Sequence, residues 1–262
     1  MSTALQVTIA TNGIATLTMN RPERHNAFDD ALITEITTAL EDLNASRDVR
    51  VVVLAAAGKS FSAGADIAWM KRMATYTEDE NLHDANKLGH LMYVLDTLTK
   101  PTVAAVQGPA YGGGVGLVAC CDMVFAAPEA LFSLTEVKLG LIPAVISPYV
   151  VRKIGVSQAR RYFLSAERFD VQTALRLGLV HEIAPRDEVG PLAHSWAAQL
   201  LNNGPASMAA AKKLVSDVAG RTPCPELNAD TSRRIASQRV SSEGQEGLTA
   251  FLEKRSPAWA KH

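Results

Sequence analysis

Two short loops rich in small residues carry the residue types in this sequence that could do chemistry. They are residues 61–67 (FSAGADI) and residues 111–114 (YGGG). Small residues let a ligand approach the backbone closely, and peptide N–H groups at the start of a helix are preorganised donors for developing negative charge. Two such loops facing each other would form an oxyanion site. The alternative is that the glycines only make tight turns after strands.

Other chemical motifs fit the sequence poorly. A phosphate-binding loop ending at residues 58–60 would need a glycine where the chain has Val53, and a nucleophile elbow around residue 60 would need one at Ser62. The glycines at 112–116 lack the third glycine of a dinucleotide-binding loop, at Leu117. His83 and His90 have no partner carboxylates or thiols in a metal-binding pattern, which favours an exposed helix face. No metal site is expected.

Each loop follows a run of residues that predicts a buried strand. Residues 49–56 and 102–106 are almost wholly apolar, and residues 123–126 are a third candidate. Apolar side chains at helical spacing occur at residues 32–43, before the first of these runs, and at residues 82–95, between the first two. Strands alternating with helices predict an α/β fold with a mostly parallel sheet, in which loops at strand ends carry the chemistry.

The two ends of the chain follow different patterns. Apolar residues alternate on both sides of Asn12-Gly13, which predicts a β-hairpin at the start of the chain. Beyond residue 170 helical patterns dominate, at 171–177, 188–201 and 206–218. We therefore expect a core over residues 1–204 and a helical region over residues 205–262.

Composition and charge exclude several classes of protein. The chain has 262 residues with 26 Lys+Arg and 27 Asp+Glu, a formal net charge of −1, and therefore no electrostatic footprint for nucleic acid. The sequence predicts no membrane segment, because it has no run of about 18 uncharged apolar residues, and no signal peptide. Cys120, Cys121 and Cys224 form neither a C-x-x-C pair nor a disulfide framework, so a reduced, cytoplasmic location is expected.

Several separate motifs in register resemble those of one known family. They are Asn20-Arg21-Pro22 with Asn26-Ala27, the FSAGADI loop, the glycines at 112–114, Cys121-Asp122, Glu136, and Gly140-Leu141-Ile142-Pro143. In this order and spacing the chain resembles the enoyl-CoA hydratase/isomerase (crotonase) family over essentially its whole length. The resemblance implies a spiral of ββα repeats, a C-terminal helical region used in trimerisation, and a homotrimer or a homohexamer of two trimers. It also implies an acyl-CoA thioester substrate, of which coenzyme A is a part, and no separate metal or redox cofactor.

The resemblance assigns roles to individual residues. The N–H groups of Ala65 and Gly113 would form the oxyanion hole that binds the thioester oxygen as it becomes an enolate. The further contacts implied for the substrate come from the two loops and the helix after the second one: Ala63, Gly64, Asp66, Ile67, Tyr111, Gly112 and Gly116.

Charged and polar residues outside the loops are also implied in binding coenzyme A. Arg24 and His25, like Asp66 and Ile67, match segments that line the adenine and the pantetheine arm. Lys254 resembles a C-terminal lysine that approaches the phosphates of coenzyme A, where an ammonium is a suitable point charge. For Arg24 and Lys254 the alternative is an ordinary solvated surface cation.

The chain departs from the hydratases of this family at one position. They typically hold water between two glutamates, and the positions that match are Gly116 and Glu136, so one carboxylate is absent. Glu136 lies between Leu134 and Val137 in a mainly apolar stretch, which predicts a raised pKa suited to acid/base work.

The single carboxylate leaves two reactions open. Glu136 alone suits an isomerase that moves a proton from C2 to C4 of a 3-enoyl-CoA. Hydration is the first choice, because residues 111–117, 135–150 and 159–170 resemble bacterial hydratases of leucine and acyclic-terpene degradation, such as those acting on methylglutaconyl-CoA. A non-catalytic relative that binds coenzyme A or RNA is a minor alternative, which the balanced charge disfavours.

Overall fold

The computed structural model describes residues 4–260, which fold into two sheets and a set of helices. The strands are β1 (Leu5–Ile9), β2 (Ile14–Met19), β3 (Val51–Ala56), β4 (Thr102–Val106), β5 (Ala110–Tyr111), β6 (Met123–Ala126), β7 (Leu131–Ser133), β8 (Phe169–Asp170) and β9 (Glu182–Ile183). The larger sheet has the order β1-β2-β3-β4-β6-β9, and the smaller has the order β5-β7-β8. In the larger sheet β1 and β2 are antiparallel and every other pair is parallel. The predicted hairpin and α/β class are confirmed.

The helices connect the strands and then form the end of the chain. They are α1 (Asp30–Ala45), α2 (Ile67–Met73), α3 (Glu78–Thr97), α4 (Gly113–Cys120), α5 (Ser147–Ser165), α6 (Val171–Arg176), α7 (Val189–Leu200), α8 (Pro205–Val218), α9 (Pro225–Val240) and α10 (Ser242–Leu252). The predicted start of the helical region at residue 205 coincides with the first residue of α8. The division into a core over residues 1–204 and a helical region over residues 205–262 stays a prediction.

Local sequence explains where the helices before the site begin. The Asp29 side chain accepts a hydrogen bond from the Leu32 N–H at the start of α1, at 2.9 Å. Thr77 and Glu80 form a reciprocal capping box at the start of α3. Such caps satisfy N–H groups that have no partner inside the helix, and each contributes about 1 kcal/mol.

The central strands β3 and β4 of the larger sheet are buried on both faces, as the apolar runs predict. One face, with Val52 and Leu54 of β3, packs into the main hydrophobic core with α1, α3, α4 and α5. The other face, with Val51 and Val53, packs against α7. Because successive side chains of a strand point to opposite faces, both layers of helices need apolar residues in the same strand. The strand ends that carry the loops are thereby fixed.

A buried asparagine joins the loop after β2 to the loop after β3. Asn26 is fully buried in a left-handed conformation (φ 52°), which asparagine tolerates better than most residues. Its Nδ2 donates to the carbonyl oxygens of Ala57 at 2.8 Å and Ser60 at 2.9 Å. Its Oδ1 accepts from the Arg21 N–H at 2.8 Å. The amide therefore sets the position at which the loop 61–67 begins.

We expect Asn26→Ala to lower the free energy of unfolding by roughly 3 kcal/mol. The substitution removes three hydrogen bonds, and it leaves the Arg21 N–H and the carbonyl oxygens of Ala57 and Ser60 without this partner. Urea unfolding followed by circular dichroism measures the change. Asn228→Ala, at an exposed position of α9, is the control and should change stability by less than about 0.5 kcal/mol. Equal effects of the two substitutions would contradict the assigned role of Asn26.

Candidate functional site

The two small-residue loops are in direct contact. The Tyr111 N–H donates to the Ser62 carbonyl oxygen at 2.9 Å, next to a parallel bridge between Ser62 and Ala110. A Cβ on Gly64 would lie 3.0 Å from the Tyr111 carbonyl oxygen, and one on Gly114 would lie 2.9 Å from the Ser62 Cβ. Both positions are therefore too close for a larger side chain. The expectation that the loops face each other is confirmed.

The first loop leaves the N–H of Ala65 without an acceptor among residues 4–260. Phe28 pairs with the backbone on both sides of Ala65: its N–H donates to the Gly64 carbonyl oxygen, and its carbonyl oxygen accepts from the Asp66 N–H, each at 2.7 Å. In this parallel bridge the Ala65 N–H is directed away from Phe28. A donor is therefore held at a fixed place on a rigid backbone.

The second loop offers an equivalent donor at the start of α4. Gly113 is the first residue of this helix, where an N–H has no partner inside the helix, and no other acceptor among the described residues takes it. Gly112 precedes it at φ 49°, which is a left-handed conformation that favours glycine. The Gly112 N–H donates to the Ser133 carbonyl oxygen at 2.9 Å and so ties the loop to β7. Two unsatisfied N–H groups thus come from two contacting loops.

A carboxylate lies beside the second loop. Glu136 begins a short 3-10 helix, Glu136–Leu139, that follows β7. Its Oε1 would lie 3.2 Å from a Cβ on Gly112, and its Oε2 is buried without a hydrogen-bond partner in the described chain. Burial raises the pKa of Glu136 above its usual range, against a smaller opposing effect of its own backbone N–H. The predicted direction of the shift is confirmed, and a carboxyl group with a raised pKa is suited to acid/base work.

Gly116, the other position of interest, is covered by apolar side chains. A Cβ there would overlap Cγ2 of Ile146 and would lie 3.1 Å from Cε of Met92. Both of these side chains are buried. The substrate contact expected at Gly116 stays a prediction. The packing shows that the space into which a side chain at 116 would extend is filled.

Ion pairs connect the segments around the first loop that are expected to bind the substrate. Asp66 is buried, caps α2 by accepting from the Ala68 N–H at 2.8 Å, and pairs with Arg24 at 3.0 Å and Arg21 at 3.5 Å. Burial alone would raise the pKa of Asp66, but the hydrogen bonds from Arg24 and the helix N–H groups outweigh it and lower the pKa. Arg24 is therefore an ion-paired residue at the edge of the loop and not an isolated surface cation.

His25 and Ile67 occupy the same edge. His25 has a left-handed backbone (φ 52°), and its Nδ1 lies 3.0 Å from Ser60 Oγ. Its carbonyl oxygen accepts from the Ala63 N–H at 2.9 Å. The Ile67 side chain is exposed at the start of α2. The sequence-predicted residues 24, 25 and 63–67 therefore form one continuous surface.

Lys254 is not joined to this surface by any hydrogen bond or ion pair of the described residues. It lies after α10 in a left-handed conformation (φ 56°) and is exposed. Its side chain makes no hydrogen bond or ion pair with any of residues 4–260. Contact of Lys254 with a phosphate stays a prediction.

Three residues make contacts at the site that no local sequence pattern predicts. Ile146 and Met92 cover Gly116, and Arg168 lies over the Tyr111 ring, with Cζ 5.5 Å from the ring centroid. Each meets its partner only through tertiary packing. The glycine at position 116 is the one feature of the sequence that leaves room for a bulky neighbour at this place.

The described residues contain neither a cluster of metal-ligating side chains nor a helix that could span a membrane. Within residues 4–260 no group of three or more histidine, cysteine, aspartate or glutamate side chains could hold a metal ion. His83 and His90 are exposed on α3, and His90 Nε2 lies 3.0 Å from Glu41 Oε1. Among the helices of the described chain, none has the length and apolar character needed to cross a bilayer.

Comparisons with known proteins agree with this geometry. Residues 10–262 match the sequence profile of the family described as enoyl-CoA hydratase/isomerase. A crystal structure of an enoyl-CoA hydratase from Shewanella pealeana is 47% identical, with 98% of this chain and 96% of that chain covered and a TM-score of 0.95. The Pseudomonas aeruginosa protein AtuE is 36% identical, with 98% and 100% covered and a TM-score of 0.92. An enoyl-CoA hydratase from Bacillus anthracis is 30% identical, with 98% and 100% covered and a TM-score of 0.89. The expected crotonase-like fold is confirmed.

Proposed function

We propose, because this chain belongs to the enoyl-CoA hydratase/isomerase family, that it adds water across the 2,3 double bond of an enoyl-CoA thioester. The observation that carries the proposal is the pair of unsatisfied N–H groups, of Ala65 and Gly113, beside the half-buried carboxylate of Glu136. This combination provides donors for an oxyanion and a group that exchanges protons next to it.

The two N–H groups act on the thioester oxygen. As water adds to C3, negative charge moves through C2 and C1 to this oxygen, which then accepts hydrogen bonds from Ala65 and Gly113. Each donor of this kind contributes on the order of 3 kcal/mol to the transition state. Because both donors are held by neighbouring backbone pairing, they need no reorganisation when the charge develops.

Glu136 handles the proton. Its carboxylate orients the water and takes one proton while the hydroxide oxygen bonds to C3, and the protonated Glu136 then delivers that proton to C2 of the enolate. The net change is one water added, with no oxidant or reductant. The absent second carboxylate at Gly116 makes Glu136 responsible for both steps.

A second candidate, 3,2-enoyl-CoA isomerisation, is favoured by the packing at Gly116. Ile146 and Met92 replace a water-holding carboxylate with apolar surface. Glu136 would remove a proton from C2 of a 3-enoyl-CoA and return it to C4 of the enolate, for which one base is sufficient. Both reactions use the same oxyanion donors.

Substrate binding follows from the continuous surface of the first loop. In the proposal, Arg24, His25 and residues 63–67 line the coenzyme A arm, and Tyr111 and Gly112 border the thioester. Lys254 approaches a phosphate of coenzyme A, which is substrate and not a separate cofactor. A branched acyl group such as that of methylglutaconyl-CoA, and a place in leucine degradation, belong to the same proposal.

The proposed assembly is a homotrimer or a homohexamer in the cytoplasm. It is supported by the C-terminal helices, because α8 buries none of its residues within the single chain and Val240 and Leu248 of α9 and α10 are exposed. Exposed apolar side chains on adjacent helices are typical of surfaces that pack against another chain.

The product formed by the wild-type protein tests the reaction. With crotonyl-CoA and methylglutaconyl-CoA we expect a product heavier by one water, and with 3-enoyl-CoA a slower change at constant mass, both resolved by chromatography and mass spectrometry. Conversion of 3-enoyl-CoA with no hydration of either 2-enoyl substrate would replace the hydratase with the isomerase.

We expect Glu136→Gln to lower kcat by about 10²- to 10⁴-fold with KM changed only a few-fold, because the carboxylate acts on protons of the transition state. Glu129→Gln, at an exposed position between β6 and β7, is the control and should retain wild-type kinetics. A Glu136→Gln variant with full turnover would exclude this residue as the base.

The pH dependence follows from the same carboxylate. Glu136 must be deprotonated to accept a proton, so kcat should fall as the pH decreases through its raised pKa. The acidic limb of the profile should therefore lie above about pH 4.3, the pKa of an exposed glutamate. Steady-state rates over a pH series measure the limb, and its position at or below that value would contradict the assignment.

Gly113→Pro and Gly113→Ala separate the N–H donor from the added carbon. Both substitutions place a Cβ 3.0 Å from Cε2 of Phe28, so both crowd the Phe28 ring. Only proline also removes the N–H. Proline is also tolerated at the first residue of a helix. We expect proline to lower kcat by about 10²- to 10³-fold more than alanine. Equal kcat values for the two variants would show that the Gly113 N–H is not a donor to the oxyanion.

A further inference from the structure

Glu136 and Ile146 both pack against the start of α4. The Gly116 N–H donates to the Gly112 carbonyl oxygen at 3.3 Å, so these glycines are one helical turn apart, about 5.4 Å along the axis. Glu136 lies against Gly112, and Ile146 lies against Gly116. The 3-10 helix that begins at Glu136 also packs against α5, which Ile146 precedes. Glu136 and Ile146 therefore approach α4 at two glycines that are four residues apart.

The contact between Gly116 and Ile146 is tight enough to make the two residues depend on each other. A Cβ at 116 would lie 3.0 Å from Cβ of Ile146 and would overlap its Cγ2, while Met92 limits movement from the other side at 3.1 Å. Ile146 is 2% exposed. Any side chain at 116 therefore requires Ile146 to move or to be smaller.

Apolar packing at this place has a chemical consequence. A water molecule is ordered in a protein by two to four polar partners, and an isoleucine side chain provides none. Ile146 takes up the volume over Gly116, one turn along α4 from the glycine that Glu136 contacts, so neither an ordered water nor a side chain at 116 has room there. Water addition at C3 needs such an ordered water, whereas movement of a proton from C2 to C4 does not.

We infer that Ile146 is a specificity-determining residue that favours proton transfer over water addition at Glu136. The inference rests on the proposed function and deepens it. Both reactions pass through an enolate held by the same donors. With Ile146 in place, water is held by Glu136 alone, and the protonated Glu136 returns its proton to C4 of a 3-enoyl-derived enolate without a competing water beside it.

The test compares hydration of crotonyl-CoA with isomerisation of the matching 3-butenoyl-CoA by the same enzyme. We expect Ile146→Ala to raise the ratio of the two kcat values, hydration over isomerisation, by about tenfold, and Ile146→Val to raise it less. Ile154→Ala is the matched control, because Ile154 is also buried and lies eight residues further along the chain. It should lose stability without a change in the ratio.

A paired substitution extends the test. Gly116→Glu alone should lower Tm, because the new side chain meets Ile146. Gly116→Glu combined with Ile146→Gly should regain Tm and hydrate crotonyl-CoA faster than Ile146→Gly alone. If the paired variant does not fold, the ratio of the two kcat values in Ile146→Val still tests the inference. This substitution removes a single carbon from the side chain. A paired variant that folds but does not hydrate faster would count against the inference.

The outcomes separate the inference from the proposed function. Wild-type protein that converts neither substrate overturns the proposed function. Wild-type protein that hydrates without detectable isomerisation supports the hydratase and overturns the inference, because Ile146 would then favour nothing. A ratio that changes no more in Ile146→Ala than in Ile154→Ala also overturns the inference. Isomerisation alone in the wild type, with hydration gained in Ile146→Ala, supports it.

Discussion

The close approach of two backbone segments is the constraint on which the rest of this structure depends. The loops 61–67 and 111–114 are in contact, and neither Gly64 nor Gly114 has space for a Cβ. Phe28 satisfies the backbone on both sides of Ala65, and helix α4 starts at Gly113, so a free N–H remains on each loop. Larger side chains in either loop would separate the two donors, which explains why small residues are concentrated there.

The parallel sheet supplies the rigidity that this contact requires. Strands β3 and β4 are neighbours, and each is followed by one of the two loops. Both faces of the sheet are covered by helices, so the strand ends cannot shift independently. The buried amide of Asn26 then joins a third loop to the first, and this places Arg24 and His25 at the edge of the site.

Local patterns account for the parts of this fold that the sequence predicts. The runs at residues 49–56 and 102–106 predict buried strands because both of their faces are apolar. The turn Asn12-Gly13 predicts the hairpin. The small sheet was missed because β5 and β8 have two residues each, too few for a periodic signal. Helix α5 was missed because Gly155, at φ 75° and ψ 159°, interrupts its helical backbone, and because Val156 and Leu164 are exposed. The position of Ile146 on Gly116 depends on tertiary packing that no local pattern encodes.

The site keeps its charge while the proton moves, and this connects its two halves. In the proposed reaction Glu136 begins as an anion beside the N-terminus of α4, which carries a partial positive charge of roughly half a unit. When Glu136 takes a proton, the negative charge passes to the thioester oxygen, which the Gly113 N–H of the same helix terminus stabilises. The helix start therefore faces one negative charge before and after the transfer. Burial of Glu136 raises its pKa, and this favours the protonated form that the transfer produces.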